Sequence, residues 1–364
     1  MEGEELKSVI GPSLIRLASG GLCLVHATAS LHGAHYQASR RVITCHTSTD
    51  EGRTWSVGVE VNPGVGREST SVDGLLQLVD GRLILPFQRT IGPTPIEDDP
   101  GKARRFGEEL SNAFSYNLHC SFCYFSDDEG RSWQASTNET FATMDRGVGG
   151  IYSMGEPQIA ELADGRLLML GNTSLGRLFR TYSEDHGETW GEAEPTELVL
   201  RRSPLCLKRH PGSGDVLVIW SQISDWEGLA GLYRHRLSTA ISQDGGLTWG
   251  HHRNLVSLDD VERLEPQPLS YHLLGRAQQP LDRTRYHRAP QPLRNDHPYC
   301  AFHDGKAIIV YGHGGLGERA IIEKTYGMDW DAVACQFACE PIPGSSKVKG
   351  SNRLHVIPIE GLYQ

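Results

Sequence analysis

The sequence predicts an all-β protein, a β-propeller of six blades with five as the alternative, built as one domain over residues 1–364. Three observations carry that reading. A box of the form Ser-x-Asp-x-Gly-x-(Thr/Ser)-Trp occurs four times, starting at Ser48, Ser126, Ser183 and Ser242. A strand–glycine turn–strand pattern occurs five times between and around the boxes. The apolar runs are of strand length, as at 167–170, and none approaches the ~20 residues of a membrane helix.

Each box reads as a tight hairpin. Asp and Ser side chains accept hydrogen bonds from backbone N–H groups inside a turn, and Gly adopts a φ that other residues resist. The closing residues Trp55, Trp133, Trp190 and Trp249 are four of the seven tryptophans, and rings of that size are expected to pack between neighbouring sheets. Turn bonding accounts fully for the box aspartates, so they are read as structural.

The hairpins ahead of the boxes span 13–27, 72–87, 157–170 and 204–220, and a fifth spans 299–311. Their turns fall at Gly20-Gly21, Asp80-Gly81, Asp164-Gly165, Gly214-Asp215 and Asp304-Gly305, the Asp-Gly pairs being a strong hairpin signal. Strand–turn–strand followed by strand–box–strand makes four antiparallel strands, which describes a propeller blade. The C-terminal strand at 353–359 is expected to complete a last blade with 335–341 and the N-terminal segment, which would close the ring and remove exposed sheet edges. Two long insertions, 91–117 and 257–297, are rich in proline and charge. Connections of that length rim a pocket, make a subunit contact or remain solvated arms.

A net charge of −10 with no Lys/Arg block argues against nucleic-acid binding. A local arginine cluster can still hold a small anion against that global field. The first residues are acidic and polar with no apolar core, which reads as a cytoplasmic protein that does not meet a membrane. Eight cysteines are too few for a disulfide scaffold. Cys120 and Cys123 lie three apart on an alternating strand, facing opposite ways, and read as buried thiols; Cys335 and Cys339 have no matching pair. No metal and no cofactor are expected. Gly-x-Ser-x-Gly and phosphate-cradling glycine loops do not occur.

The four boxes are similar to the Asp-box (BNR) repeats of sialidases, and the stretch 155–169, Gly-Glu-Pro-Gln-Ile-Ala-Glu-Leu-Ala-Asp-Gly-Arg-Leu-Leu-Met, resembles bacterial sialidase-family proteins. The resemblance covers the chain from about Ile10 onward. It implies a site with three arginines clamping a carboxylate, a Tyr nucleophile activated by a Glu, and an Asp acid/base. A neutral phenol suits attack on an anionic sugar because a carboxylate nucleophile would be repelled. Carried onto this chain, the resemblance makes Glu156 the glutamate, Tyr299 the tyrosine and Arg236 (or Arg234) one clamp arginine. The first clamp position reads Ile10-Gly11-Pro12, the second is Asn172, and the loop before the first box offers His32, His35 and Tyr36 where the acid would stand.

The residues themselves point to the ends of the inner strands, which converge on a propeller's axial funnel. Arg67 and Glu68 precede the second hairpin, Arg89 follows it, Asn172 follows the third, and Asp296, His297 and Tyr299 open the fifth. These, with Arg236, are the expected substrate-binding groups. Glu156, Tyr299 and His35 are the catalytic candidates, His35 because a histidine titrates near neutral pH and can replace a missing acid. Each has a plainer alternative: Glu156 bonding strand-end backbone, Tyr299 half-buried in its strand, Arg89 in a salt bridge with Glu68 or Glu156, His35 and His313 as loop residues. Arg177 and Arg180, three apart on a strand, cannot both face the funnel.

The expected function is an exo-acting glycoside hydrolase of sialidase-like type, acting on a terminal sialic acid or related acidic sugar. A carbohydrate-binding propeller without turnover and a polysaccharide lyase stand as alternatives. The expected partner is a carbohydrate, with oligomerisation through the 257–297 insertion.

Overall fold

A computed structural model describes residues 7–30, 41–63, 67–91, 118–173, 175–200, 203–224, 234–257, 261–266, 294–314 and 351–364. The strands assemble into antiparallel blade sheets. The first is β1 (Lys7–Arg16), β2 (Leu22–Ser30), β3 (Arg41–Ser48) and β4 (Val59–Glu60), in sequential order. The second contains β5 (Arg67–Thr70), β6 (Leu76–Gln77), β7 (Leu83–Ile91), β8 (Leu118–Ser126) and β9 (Gln134–Ala135), with β5 and β6 both pairing β7. A short ribbon, β10 (Ala142–Thr143) with β11 (Ile151–Tyr152), precedes the third sheet. That sheet is β12 (Met154–Glu161), β13 (Leu167–Thr173), β14 (Arg177–Ser183) and β15 (Glu194–Val199). The fourth is β16 (Cys206–Arg209), β17 (Val216–Trp220), β18 (Leu237–Ser242) and β19 (Gly250–Val256). The fifth is β20 (Arg294–His303), β21 (Lys306–Gly314) and β22 (Ser351–Pro358). The helical elements among the described residues are two short 3-10 turns, Asp145–Gly147 and Ile359–Leu362, and no described helix is long and apolar enough to cross a membrane.

The protein is therefore an all-β propeller, with five blade sheets among the described residues rather than the six first expected. The correction lies at the termini. The C-terminal strand pairs β21 along its whole length, from Lys306↔Pro358 to His313↔Ser351, so it finishes the blade that β20 begins. The N-terminal strand pairs β2 and opens the first blade. Both ends are thereby used in blades already counted, and the 335–341 segment of the expected sixth lies outside the described residues, as do residues 92–117, 258–260 and 267–293 of the two insertions.

The chain divides into two compact units, Met1–Gly171 with Phe179–Glu194 and Asn172–Leu178 with Pro195–Gln364. In the first unit, the inward faces of β2 and β3 (Cys23, Val25, Ile43, Cys45) pack on Leu83, Leu85, Phe87, Phe122 and Tyr124 of the second sheet. The period-two alternation of 83, 85 and 87 puts all three on one face of β7. In the second unit, Leu217, Ile219, Leu237 and Ile241 meet Cys300, Ile309, Tyr311, Ile357 and Leu362. Each such fully buried aliphatic or aromatic side chain contributes about 1.5–3 kcal/mol.

The boxes fold as their residues dictate. In the first, Ser48 Oγ donates to Asp50 Oδ1 (2.8 Å) and accepts from Gly52 N–H (2.9 Å), while Thr54 gives its N–H to Oδ1 (2.8 Å) and its hydroxyl to Oδ2 (2.6 Å). Asp128, Asp185 and Asp244 repeat the pattern with Ser132, Thr189 and Thr248. Trp190 and Trp249 are buried as expected, but Trp55 stays 38% exposed, its ring lying over Gly52 of its own turn.

A second repeat lies where the blades' inner strands begin. Gly11, Asp73, Glu156 and His297 all adopt positive φ (+57°, +53°, +45° and +51°). The register shifts there in the first and fifth blades, between Ile10 and Ser13 and between Asp296 and Tyr299. Pro12, Pro157 and Pro298 follow three of the four. Such a bulge bends the strand and re-aims the side chain it carries.

Candidate functional site

In the first unit the candidate residues gather on β5, β7 and the start of β12. The antiparallel register sets Glu68 directly opposite Arg89 and Arg89 opposite Cys120. Glu68 is buried, and its Oε1 accepts from Arg89 Nε and Nη2, each at 2.9 Å. Its Oε2 accepts the Tyr124 hydroxyl at 3.2 Å. The Arg89 guanidinium, one third exposed, also meets Glu139 through Nη1 and lies 4.8 Å from the centroid of the Phe122 ring. One cation thus stands between two carboxylates and an aromatic face.

Burial works against the Arg89 charge, but the hydrogen bond to Glu68 and the charges of Glu68 and Glu139 outweigh it and raise the pKa. Burial first, and the Glu68 charge second, push the Tyr124 phenol up to about 12. Tyr124 is therefore a donor at neutral pH, and its burial within the core beside Phe87 suits a buttress for Glu68.

Gln88, next to Arg89, reaches the third blade. Its Oε1 accepts the N–H of Glu156 at 2.6 Å. A Cβ on Gly155 would stand 2.7 Å from that oxygen, so glycine there is what allows the approach. Glu156 is held at φ +45° in front of Pro157. A non-glycine residue in that conformation costs roughly 1–2 kcal/mol, and such strain collects at functional positions. Thr90 bonds His119 Nδ1 at 3.1 Å one rung along.

The second unit has its own polar group. Asp296, 6% exposed, accepts Arg234 Nη1 on Oδ2 at 2.5 Å and lies 3.1 Å through Oδ1 from His297 Nδ1. Beside it, buried Asn295 donates to the His235 carbonyl (2.8 Å) and accepts from His313 Nδ1 (2.7 Å). The Asn295 N–H donates to the Arg234 carbonyl at 2.6 Å, which ties β20 to the segment entering β18. Ser221 Oγ donates to the Asn295 carbonyl at 3.2 Å.

The expected residues are therefore placed as follows. Glu68 and Arg89 are paired, with Glu156 tied to the same strand through Gln88. Asp296 and His297 are paired, with Arg234 as the cation. Asn172 donates to the Ser203 carbonyl at 3.3 Å. Arg236 is fully buried with Nε on Ser257 Oγ at 3.1 Å, which sets it apart from a solvent-facing anion ligand. Tyr299 is half-buried opposite Val310. Arg67 pairs Thr90 through its backbone, and its side chain and the whole of His35 lie outside the described residues.

Sequence reasoning did not single out Tyr124, Glu139, Gln88 or Asn295. Tyr124 carries the one signal that was readable, a hydroxylated ring in the apolar run of β8. Cys120 and Cys123, on β8, are buried free thiols, and burial raises them to about 11 and about 12. Among the described residues, no three His, Cys, Asp or Glu side chains are grouped to hold a metal ion.

Comparison with known proteins gives the following. The family described as BNR repeat-like domain matches residues 2–283. No curated protein sequence matches the chain. Among solved structures, NanB with Optactamide superposes with a TM-score of 0.52 at 11% identity, covering 84% of this chain and 53% of that one. A variant of the NanB sialidase from Streptococcus pneumoniae gives 0.51 at 11%, with the same coverage. The Hadza microbial sialidase Hz136 gives 0.48 at 19%, covering 70% of this chain and 46% of that one. The chain spans about half the length of these three solved structures.

Proposed function

This chain belongs to the BNR repeat-like domain family, and from that premise we propose that it is an exo-acting glycoside hydrolase of sialidase-like type, taking a terminal sialic acid or related acidic sugar. The observation that carries the reading is Glu156: a carboxylate held at a strained positive φ, its backbone pinned by Gln88, the neighbour of a partly exposed arginine. Glu156 is the group at the reacting centre, where a fixed carboxylate stabilises the positive charge that develops on the sugar ring. Arg89 is the anion ligand. Glu68 anchors it from the buried side, and Glu139, 37% exposed, occupies the place a substrate carboxylate takes. The name sialidase belongs to fold relatives at 11–19% identity and supplies the substrate to try first.

A second reading, sugar binding without turnover, is favoured by Arg236, whose burial removes a cation the sialidase clamp requires. The deciding experiment is release of a fluorophore from an α-sialoside and a panel of other acidic glycosides, by wild type and Glu156→Gln. The hydrolase reading expects turnover of at least one glycoside, abolished in the variant. Folded wild type that is silent across the panel overturns it, as does turnover that survives Glu156→Gln. An unsaturated ultraviolet chromophore from a uronate polymer would indicate a lyase instead.

A further inference from the structure

The second unit contains a histidine–carboxylate–arginine relay that the reading above leaves unused, and we propose that it is a proton-transfer centre: His297 is a catalytic acid/base, with Asp296 and Arg234 as its positioning residues. Asp296 is nearly buried, and a carboxylate there requires partners on both oxygens. Arg234 takes Oδ2 at 2.5 Å, and His297 Nδ1 lies 3.1 Å from Oδ1. The His297 side chain is 40% exposed against 9% for Asp296, so the charge is buried and the imidazole is open. Gly312 lies opposite Asp296 in the β20–β21 ladder, and a Cβ there would come within 3.4 Å of Oδ1.

The backbone adds an independent observation. His297 holds φ +51° on a bulge immediately before Pro298, the same strained position that Glu156 holds in the third blade. In the first blade the equivalent position is Gly11, for which this conformation carries no such strain.

With Asp296 accepting from Nδ1–H, the neutral ring is the Nδ1–H tautomer and Nε2 is the nitrogen that exchanges a proton. Among the described residues, His235 and His313 also lie beside the relay, contacting Asn295 through the His235 carbonyl and His313 Nδ1. The substrate class, a glycoside, is taken from the hydrolase reading, on which this step rests, and the relay itself lies wholly within the second unit. The imidazolium gives its Nε2 proton to the leaving glycosidic oxygen as the C–O bond breaks and that oxygen takes the electron pair. A water molecule then returns a proton to Nε2 as its oxygen bonds to the sugar carbon. Net, one glycoside and one water give the free sugar as its hemiacetal (a hemiketal for a sialic acid) and one alcohol.

Two measurements test this separately from the hydrolase reading. Nitrogen-15 ring spectra of the neutral His297 are expected to show the proton on Nδ1, and Asp296→Asn is expected to move it to Nε2, since an amide holds the wrong tautomer. Carbethoxylation followed by mass spectrometry is expected to be several-fold faster at His297 than at exposed His303 of the same strand, and to slow in Asp296→Asn. A wild-type ring protonated on Nε2, or equal reactivity at both histidines, overturns the proposal without reference to any substrate. On whichever glycoside is turned over, His297→Gln, an exposed change, is expected to lower kcat by about 100-fold or more with KM little altered. Asp296→Asn should match it and the double variant should be no worse. Retained kcat in folded His297→Gln overturns the catalytic role. Silence of wild type on all glycosides, with the tautomer and reactivity as expected, overturns the hydrolase reading and leaves the relay standing.

Discussion

Glu68 and Arg89 face one another across the β5–β7 ladder at 2.9 Å, and they are unequal partners: the carboxylate side chain is 3% exposed and the guanidinium 33%. Arg234 and Asp296 repeat the asymmetry in the second unit, at 16% and 9%. In both, the fold buries a carboxylate and sets an arginine on its more open side. The cost of removing either partner should therefore depend on which one is stranded.

Arg89→Met leaves the Glu68 carboxylate in the core with the Tyr124 hydroxyl as its remaining described donor among those bonds. Glu68→Gln leaves Arg89 with Glu139, the Phe122 face and water. Breaking a buried pair costs about 3–5 kcal/mol, discounted here because the guanidinium is partly solvated. We expect a loss of about 2–3 kcal/mol for Arg89→Met and about half that for Glu68→Gln, read from urea unfolding midpoints. Equal losses would refute the asymmetry.

The box aspartates predict acid sensitivity of a defined sign. Asp50 is lowered to about 2, chiefly by the Thr54 hydroxyl and N–H. At Asp128, Asp185 and Asp244 burial acts in the opposite direction, but the equivalent hydroxyl and N–H bonds prevail and lower them too. A carboxylate depressed in the folded state stabilises fully above its unfolded value, about 3.9. That contribution is lost as pH falls through the folded value, so the window runs from about pH 4 down to about pH 2. Asp50→Asn is expected to melt lower than wild type at pH 7 and to lose less on acidification across the window. Parallel melting curves for the two proteins from pH 4 to pH 2 would show that the boxes are not the acid-labile element.

This division between boxes and site explains what could be read in advance. The boxes and Asp-Gly hairpins were legible because each is a local device, repeated, whose residues bond within a few positions of one another. The blade count was not. It depends on β22 pairing a strand 38 or more positions earlier in the chain, from Ser351 back to His313, and no local pattern fixes that. Glu68 and Arg89 were legible as strand-end polar residues, and their mutual salt bridge was among the alternatives weighed. Tyr124 reaches Glu68 from β8, and Glu139 reaches Arg89 from the segment beyond the second box, so finding them required the β7–β8 register, which the sequence leaves open. The strain at Glu156 and His297 was invisible because both precede proline, which by itself favours extended backbone.

Two glycines separate backbone strain from packing. Gly130 in the second box and Gly165 in the third hairpin have nearly the same φ, +88° and +87°. A Cβ at Gly165 meets nothing within 4 Å, whereas at Gly130 it would stand 2.7 Å from Cys45 Sγ. Alanine at Gly165 should cost about 1–2 kcal/mol from φ alone. At Gly130 it should cost a further 1–3 kcal/mol or so from overpacking. Adding Cys45→Ala to Gly130→Ala should recover part of that excess, because the two sites share one space. Strict additivity in thermal or urea melts would contradict the contact.

Glu139 is the most informative surface change if Arg89 binds an acidic sugar. Glu68 and Glu139 both hold the guanidinium, but Glu68 is almost wholly buried and Glu139 is not. A ligand carboxylate can displace only the exposed one, and it must break that ion pair to do so. Exposed pairs are worth about 0.2–1 kcal/mol, so removing the competitor should tighten acidic ligands by about 1.4- to five-fold. Glu139→Gln is therefore expected to lower KM, or Kd for a non-hydrolysed acidic sugar in calorimetry, with kcat changed less. The gain should shrink as salt is raised, because screening weakens the ion pair and the ligand's attraction alike. A neutral sugar should show no gain. If Glu139→Gln instead weakens binding of acidic and neutral sugars equally, Glu139 is an acceptor for a sugar hydroxyl, and Arg89 is a structural partner of Glu68 rather than the anion ligand.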